Sequence, residues 1–136
     1  MKSKNIQTQH KFVTVFRLET SDGLGIYRNN IKNTSKPSMW DLVTNKFEDD
    51  IINPIPYNDL KVDLSYWPEY ICGFKDINQY KNWVFNPYWR RQFADKGVRM
   101  VTYTVPEDAI HFGKKQLAFS KNFAIKVNDE SLSNYL

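Results

Sequence analysis

The 136-residue chain lacks most of the features from which a function is commonly read. It has one cysteine and two histidines, so it forms no internal disulfide and has no recognisable zinc-binding pattern. No apolar run approaches the length of a membrane span, and the amino terminus has no hydrophobic signal region. GxSxG, Walker and HExxH motifs do not occur. We therefore expect a cytoplasmic protein with no metal site and no membrane partner.

Composition indicates a single globular domain with an excess of large rings. Apolar residues make up 41% of the chain, charged residues 25% and aromatic residues 15%. A small core does not hide so many rings completely, so several are expected to line a groove, a partner surface or a homo-oligomer interface. The net charge of +4 favours an anionic partner. It falls short of a basic stripe, so nucleic acid is not the favoured partner.

The chain divides into three stretches by local pattern. Residues 1–10 are polar and predict a flexible leader, residues 11–128 predict one α+β domain, and residues 129–136 predict a polar tail. Within the domain, residues 29–70 show no period and contain four prolines, with a short helix possible near 38–46. Connections of this length are often binding loops or lids, so this excursion and its Trp40 are predicted to cover a ligand or contact a partner. The alternative is a structural wrap whose rings patch the core.

The first strand carries the most unusual side chain. The segment 11–18 is rich in β-branched and aromatic residues, and alternation places Val13, Val15 and Arg17 on one face. An arginine in line with two valines either snorkels at a rim or reaches into a site. Gly23 and Gly25 follow in a turn, where they serve a tight bend or the approach of backbone to a ligand.

The second half has stronger local signals. Residues 70–74 predict a short strand; Asp76 and Asn86 stand as N-caps before two helices, the second starting with proline and closing at Gly97. Strands are predicted at 98–105, 116–119 and 122–127. Because strands and helices do not alternate strictly, we predict an α+β fold with a mixed or mostly antiparallel sheet and two or three helices.

Single candidates for chemistry are few. Cys72 lies in an apolar context that favours a buried, inert thiol over a nucleophile. His10 and His111 fit surface positions better than a catalytic base. Glu107 offers a carboxylate at a strand end, where it either enters a site or terminates the strand in solvent.

The order of these elements resembles the ADP-ribosyltransferase-like fold. The resemblance is carried by the arginine ending the first strand, the glycine-aromatic strand before a tryptophan-containing helix, and the late VTYTVPEDAI and KQLAF segments. It implies that Arg17 contacts a nucleotide and that Cys72, Gly73 and Phe74 occupy the second motif, with Cys72 replacing the usual Ser or Thr. Gln116 falls where the family has its catalytic Glu. The same GF…W…YTVPEDAI…GKKQLAF pattern is similar to small phage accessory proteins.

Two hypotheses follow. In the first, an accessory protein binds a nucleotide-like anion such as NAD in an ADP-ribosyltransferase-like pocket, where Arg17 pairs with phosphate, Phe74 or Trp40 stacks on a base, and Gln116 bonds a sugar. Tyr103 belongs to the same predicted site. A glutamine cannot supply the charge of the catalytic Glu, so the pocket is degenerate unless Glu107 serves. In the second, a non-enzymatic inhibitor of a host protein acts through its aromatic 29–70 loop.

Overall fold

A computed structural model describes residues 11–21, 23, 25, 59–61 and 69–136. The strands are β1 (Phe12–Glu19), β2 (Tyr70–Gly73), β3 (Arg99–Pro106), β4 (Ile110–Phe112), β5 (Leu117–Ser120) and β6 (Ile125–Ser131). The α-helices are α1 (Ile77–Trp83) and α2 (Pro87–Asp95), and 3-10 turns cover Glu107–Ala109, Lys121–Phe123 and Leu132–Tyr135. The predicted leader, the short helix near 38–46, Trp40 and most of the 29–70 excursion lie outside the described residues.

The strands form two small antiparallel sheets. One has the order β1-β3-β6 and the other β2-β5-β4. A single antiparallel bridge joins them, in which Phe16 and Phe74 exchange two backbone hydrogen bonds with N···O distances of 2.8 and 2.6 Å. The predicted α+β class and antiparallel pairing are confirmed for the part of the chain that the structure describes.

Both helices begin at the predicted caps. The Asp76 carboxylate accepts a hydrogen bond from the backbone N–H of Gln79 at 2.7 Å, and Asn86 accepts one from the N–H of Tyr88 at 2.9 Å. The Gln79 side chain reaches back to the N–H of Lys75, one residue earlier than a capping box predicts. Short polar side chains determined these helix starts, because they satisfy N–H groups that the helix itself cannot.

The two faces of β1 bury into two different cores, as its alternation predicts. Phe16 and Leu18 face a core formed with the helices, whose fully buried rings include Tyr80, Trp83 and Phe93. Val13 and Val15 face a second core between the two sheets, formed with Val105, Leu117 and Phe119, among others. The inter-sheet core matters for function, since Arg17 lies on the same face of β1.

The later strands agree with the prediction only in part. The residues predicted as a polar tail are ordered: residues 129–131 belong to β6, and Leu132 is buried in the helix-side core. β4 has no counterpart among the predicted strands, and the predicted 116–119 and 122–127 strands lie at 117–120 and 125–131. β6 runs on because it pairs with β3 as far as Arg99 opposite Ser131, a long-range contact that local polarity does not reveal.

Candidate ligand-binding site

The described part of the chain contains a cavity of about 370 Å³ at the end of the inter-sheet core. It lies where β1 ends, so the last residues of that face line it together with β3, β6 and the turn after β5. The described lining residues are Arg17, Glu19, Gly23, Ile71, Tyr103, Lys121, Ala124 and Lys126. Alternation explains the first two, since they continue the face that Val13 and Val15 begin.

A buried polar group forms the wall of this cavity. Arg17 Nη1 lies 3.4 Å from Glu19 Oε2, and each side chain exposes less than a tenth of its surface, at 6% and 8%. The Tyr103 hydroxyl donates a 2.5 Å hydrogen bond to the same Oε2. Burial, reinforced by the hydrogen bond to Glu19, raises the pKa of Tyr103, so the hydroxyl remains a donor at neutral pH.

The two oxygens of the Glu19 carboxylate have different surroundings. Both contacts just described end on Oε2, and among the described residues no hydrogen bond ends on Oε1. Glu19 lines the cavity, so we infer that Oε1 is the oxygen within reach of a ligand bound there. Burial therefore holds the carboxylate in place and leaves one acceptor oxygen facing a possible ligand.

Among the described residues that line the cavity, positive charge outweighs negative charge. Arg17, Lys121 and Lys126 stand against the carboxylate of Glu19. Both lysines are exposed, and Lys126 is partly compensated by Asp129, whose Oδ2 lies 3.7 Å from its ammonium. Cationic walls concentrate field lines in a cleft and favour an anionic ligand.

The two glycines of the predicted turn have different structural reasons, a positive φ at Gly23 and contact with the Arg17 guanidinium at Gly25. The N–H of Gly23 donates to the carbonyl of Thr20 at 2.9 Å, with φ at +85°, and this conformation favours glycine. A Cβ at Gly25 would collide with the Arg17 guanidinium. The turn is tight, as one reading of the Gly-x-Gly pattern predicts, and Gly25 brings backbone against the Arg17 guanidinium; the approach of this backbone to a ligand stays a prediction.

Three other predicted binding residues, Cys72, Gly73 and Phe74, are not among the described residues that line the cavity. Phe74 is buried against Tyr80 and Trp83, with ring centroids 6.1 Å away in each case. It is therefore unable to stack on a base without opening the core. Cys72 is half-buried rather than fully buried as predicted, and alternation places it on the opposite face of β2 from Ile71.

Gly73 serves packing. A Cβ there would lie 2.8 Å from the carbonyl oxygen of Phe16 and 2.9 Å from Val15 Cγ1. Only glycine lets β2 approach β1 this closely.

The two predicted catalytic residues are not among the described residues that line the cavity. Gln116 is buried beside the β4–β5 loop, where its backbone N–H donates to Asp59 Oδ2 at 3.0 Å. Glu107 is exposed, with its carboxylate 3.8 Å from the Lys11 ammonium. Lys11 precedes Arg17 by six residues, which is about 20 Å along an extended strand. The expected convergence of Arg17 with Gln116 or Glu107 in one cavity is therefore not observed.

Sequence reasoning placed Arg17 and Tyr103 in the site and missed their partners. Glu19 could have been predicted from the sequence, since it lies two residues beyond Arg17 on the same strand face. Lys121 and Lys126 could not, because their position depends on the pairing of β5 with β2 and of β6 with β3.

Asp59 was also missed, yet it is a well-bonded side chain outside the cavity. Its carboxylate accepts hydrogen bonds from the backbone N–H groups of three consecutive residues, 114–116, at 2.8 to 3.0 Å. Three amides converging on one anion shape the β4–β5 loop as a nest. This loop is consequently anchored by an internal carboxylate.

Comparison with known proteins identifies one family. Residues 2–133 match the family model described as Bacteriophage T4 Y00F protein. No curated protein and no solved structure matches the chain. Within the described residues, no helix combines the length and apolar character needed to cross a membrane.

Proposed function

Because the chain belongs to the bacteriophage T4 Y00F protein family, we propose that it is a phage accessory protein that binds a small, nucleotide-like anion in the cavity at the end of β1. The observation that carries the proposal is the lining: its described residues include three cationic side chains and one carboxylate. We place this binding in the cytoplasm of the infected host.

The form of the cavity supports a small ligand. Its volume of about 370 Å³ lies at the lower end of the roughly 300–1,000 Å³ found for small-molecule sites. Ile71, Ala124 and the Tyr103 ring supply apolar surface next to the charged groups. A mononucleotide-sized anion therefore suits the described walls better than a dinucleotide such as NAD.

We infer binding without group transfer. Arg17 on the first strand supports the resemblance to ADP-ribosyltransferase-like proteins, since it lines the cavity. The residues that the resemblance implies for catalysis do not support it, because neither Gln116 nor Glu107 is among the described lining residues. Glu19 is the only carboxylate of the described lining, and Tyr103 and Arg17 already engage its Oε2.

Binding is tested by thermal shift with phosphate, AMP, ADP-ribose, NAD and a cyclic dinucleotide. A ligand at a hundredfold its dissociation constant adds roughly 2.7 kcal/mol to the free energy of unfolding. The double variant Lys121→Ala/Lys126→Ala should lose most of this gain. Both side chains are exposed, so the free protein should retain its stability.

The matched control removes two other exposed lysines, as Lys114→Ala/Lys115→Ala. These carry the same charge and lie in the β4–β5 loop, outside the described lining. Equal loss of ligand stabilisation in both double variants would show unspecific attraction, and no shift with any anion would refute the proposed function. Incubation with labelled NAD and host lysate tests transfer, and labelling that persists in both Gln116→Ala and Glu107→Ala would exclude these residues from catalysis.

A further inference from the structure

The open oxygen of Glu19 restricts the chemistry of any ligand in the cavity. Glu19 is 6% exposed, and its Oε2 already receives the Tyr103 hydroxyl and the Arg17 guanidinium at 2.5 and 3.4 Å. Glu19 lines the cavity, and no described donor bonds to its Oε1. An ionised carboxylate acts only as an acceptor. A ligand that displaces water from Oε1 must therefore supply a hydrogen-bond donor or leave a charged oxygen unsatisfied.

The charges around Glu19 decide which donor fits. An ammonium group would satisfy the carboxylate, but it would share the cavity with the cationic side chains of Arg17, Lys121 and Lys126. Like charges in a partly buried site repel strongly, because the effective dielectric constant is low. A hydroxyl group donates the same hydrogen bond without adding positive charge.

We propose that the ligand is a phosphorylated polyhydroxyl compound, of the sugar phosphate or ribonucleotide class, and that Glu19 selects it by accepting a hydrogen bond from a ligand hydroxyl. This rests on the proposed binding of an anion in the same cavity. The cationic side chains hold the phosphate, while Tyr103 fixes the carboxylate by occupying Oε2. Tyr103 is thus a positioning residue, and Glu19 is the residue that determines specificity.

The unmodified protein provides the decisive experiment, by calorimetric titration with four probes. Ribose 5-phosphate has the anion and hydroxyls, n-pentyl phosphate has the anion alone, 2-aminoethyl phosphate adds an ammonium group, and inorganic phosphate controls for simple anion binding. We expect ribose 5-phosphate to bind at least about tenfold more tightly than each of the others, the range expected for a hydrogen bond to a charged group. Equal affinity for ribose 5-phosphate and n-pentyl phosphate, or tighter binding of 2-aminoethyl phosphate, would overturn the inference.

Two variants distinguish anion binding in the cavity from the selection of a ligand hydroxyl by Glu19. In Glu19→Gln, checked for native circular dichroism, the preference for ribose 5-phosphate should fall several-fold because a neutral acceptor makes a weaker bond. In Lys121→Ala/Lys126→Ala, affinity for all phosphates should fall together while the preference persists. If no phosphate compound binds, anion binding itself is refuted. If all bind without preference, anion binding stands and the hydroxyl selection by Glu19 is wrong.

Discussion

Replacing Glu19 by glutamine should destabilise the protein through the charge it leaves behind. Glu19 and Arg17 each expose less than a tenth of their side-chain surface. Removing one partner of a buried ion pair typically costs about 3–5 kcal/mol, since the other charge stays buried without compensation. Glu19 opens onto a cavity that admits water, so we expect a smaller loss of about 2–3 kcal/mol in the free energy of unfolding.

Urea denaturation followed by circular dichroism measures this loss. For a small domain, a slope of about 1–3 kcal/mol per molar urea converts it into a midpoint shift of about 1 M or more. The double variant Arg17→Met/Glu19→Gln should recover part of the loss, because it removes the buried guanidinium charge together with the carboxylate.

An exposed ion pair near the other end of β1 provides the control. Glu107 lies 3.8 Å from the Lys11 ammonium, but these side chains are 47% and 75% exposed. Glu107→Gln should therefore change the stability by less than about 0.5 kcal/mol. If Glu19→Gln changes the stability as little as Glu107→Gln does, the Arg17–Glu19 pair is hydrated and the account of the cavity wall is wrong.

Three further predictions concern the scaffold. Gly73→Ala should lower the urea midpoint more than Gly97→Ala. A Cβ at Gly73 would lie 2.8 Å from a backbone oxygen, whereas a Cβ at Gly97 meets nothing within 4 Å and only its φ of +87° is strained. Equal losses would contradict this. Hydrogen bonds, first from Tyr135, hold the pKa of Glu130 below its ordinary value of 4.5, so its stabilisation is present above that pH and lost as the pH falls through the lowered value. Tyr135→Phe should weaken this acid dependence of the midpoint, and an unchanged profile would refute it. Asp59→Asn should speed hydrogen exchange of the β4–β5 loop amides that bond to this carboxylate. An unchanged exchange rate would show that the carboxylate does not protect them.

Local patterns in the sequence were sufficient for much of the scaffold. Asp76 and Asn86 predicted both helix starts, because a capping side chain bonds to N–H groups only two or three residues away. The alternation of β1 predicted which residues face each core, because a strand has a period of two whatever packs against it. The same period placed Arg17 on the face that ends at the cavity.

Features that depend on distant segments were not predicted. The polar sequence after residue 128 does not predict the end of β6 or the burial of Leu132. Strand pairing with β3 and contacts with α2 override local polarity there. Phe74 was predicted to stack on a base, and only its contacts with Tyr80 and Trp83 show that it belongs to a core.

The sequence by itself determined that the chain forms one α+β scaffold with capped helices, and that an arginine lies at the end of its first strand. The tertiary structure decided what that arginine does. It brought Tyr103 from β3, Lys126 from β6 and Lys121 from the turn after β5 around Arg17 and Glu19. Periodicity is a local property of the chain, whereas a binding cavity is a set of long-range contacts; for this reason the residues proposed to bind the ligand became visible only in the folded chain.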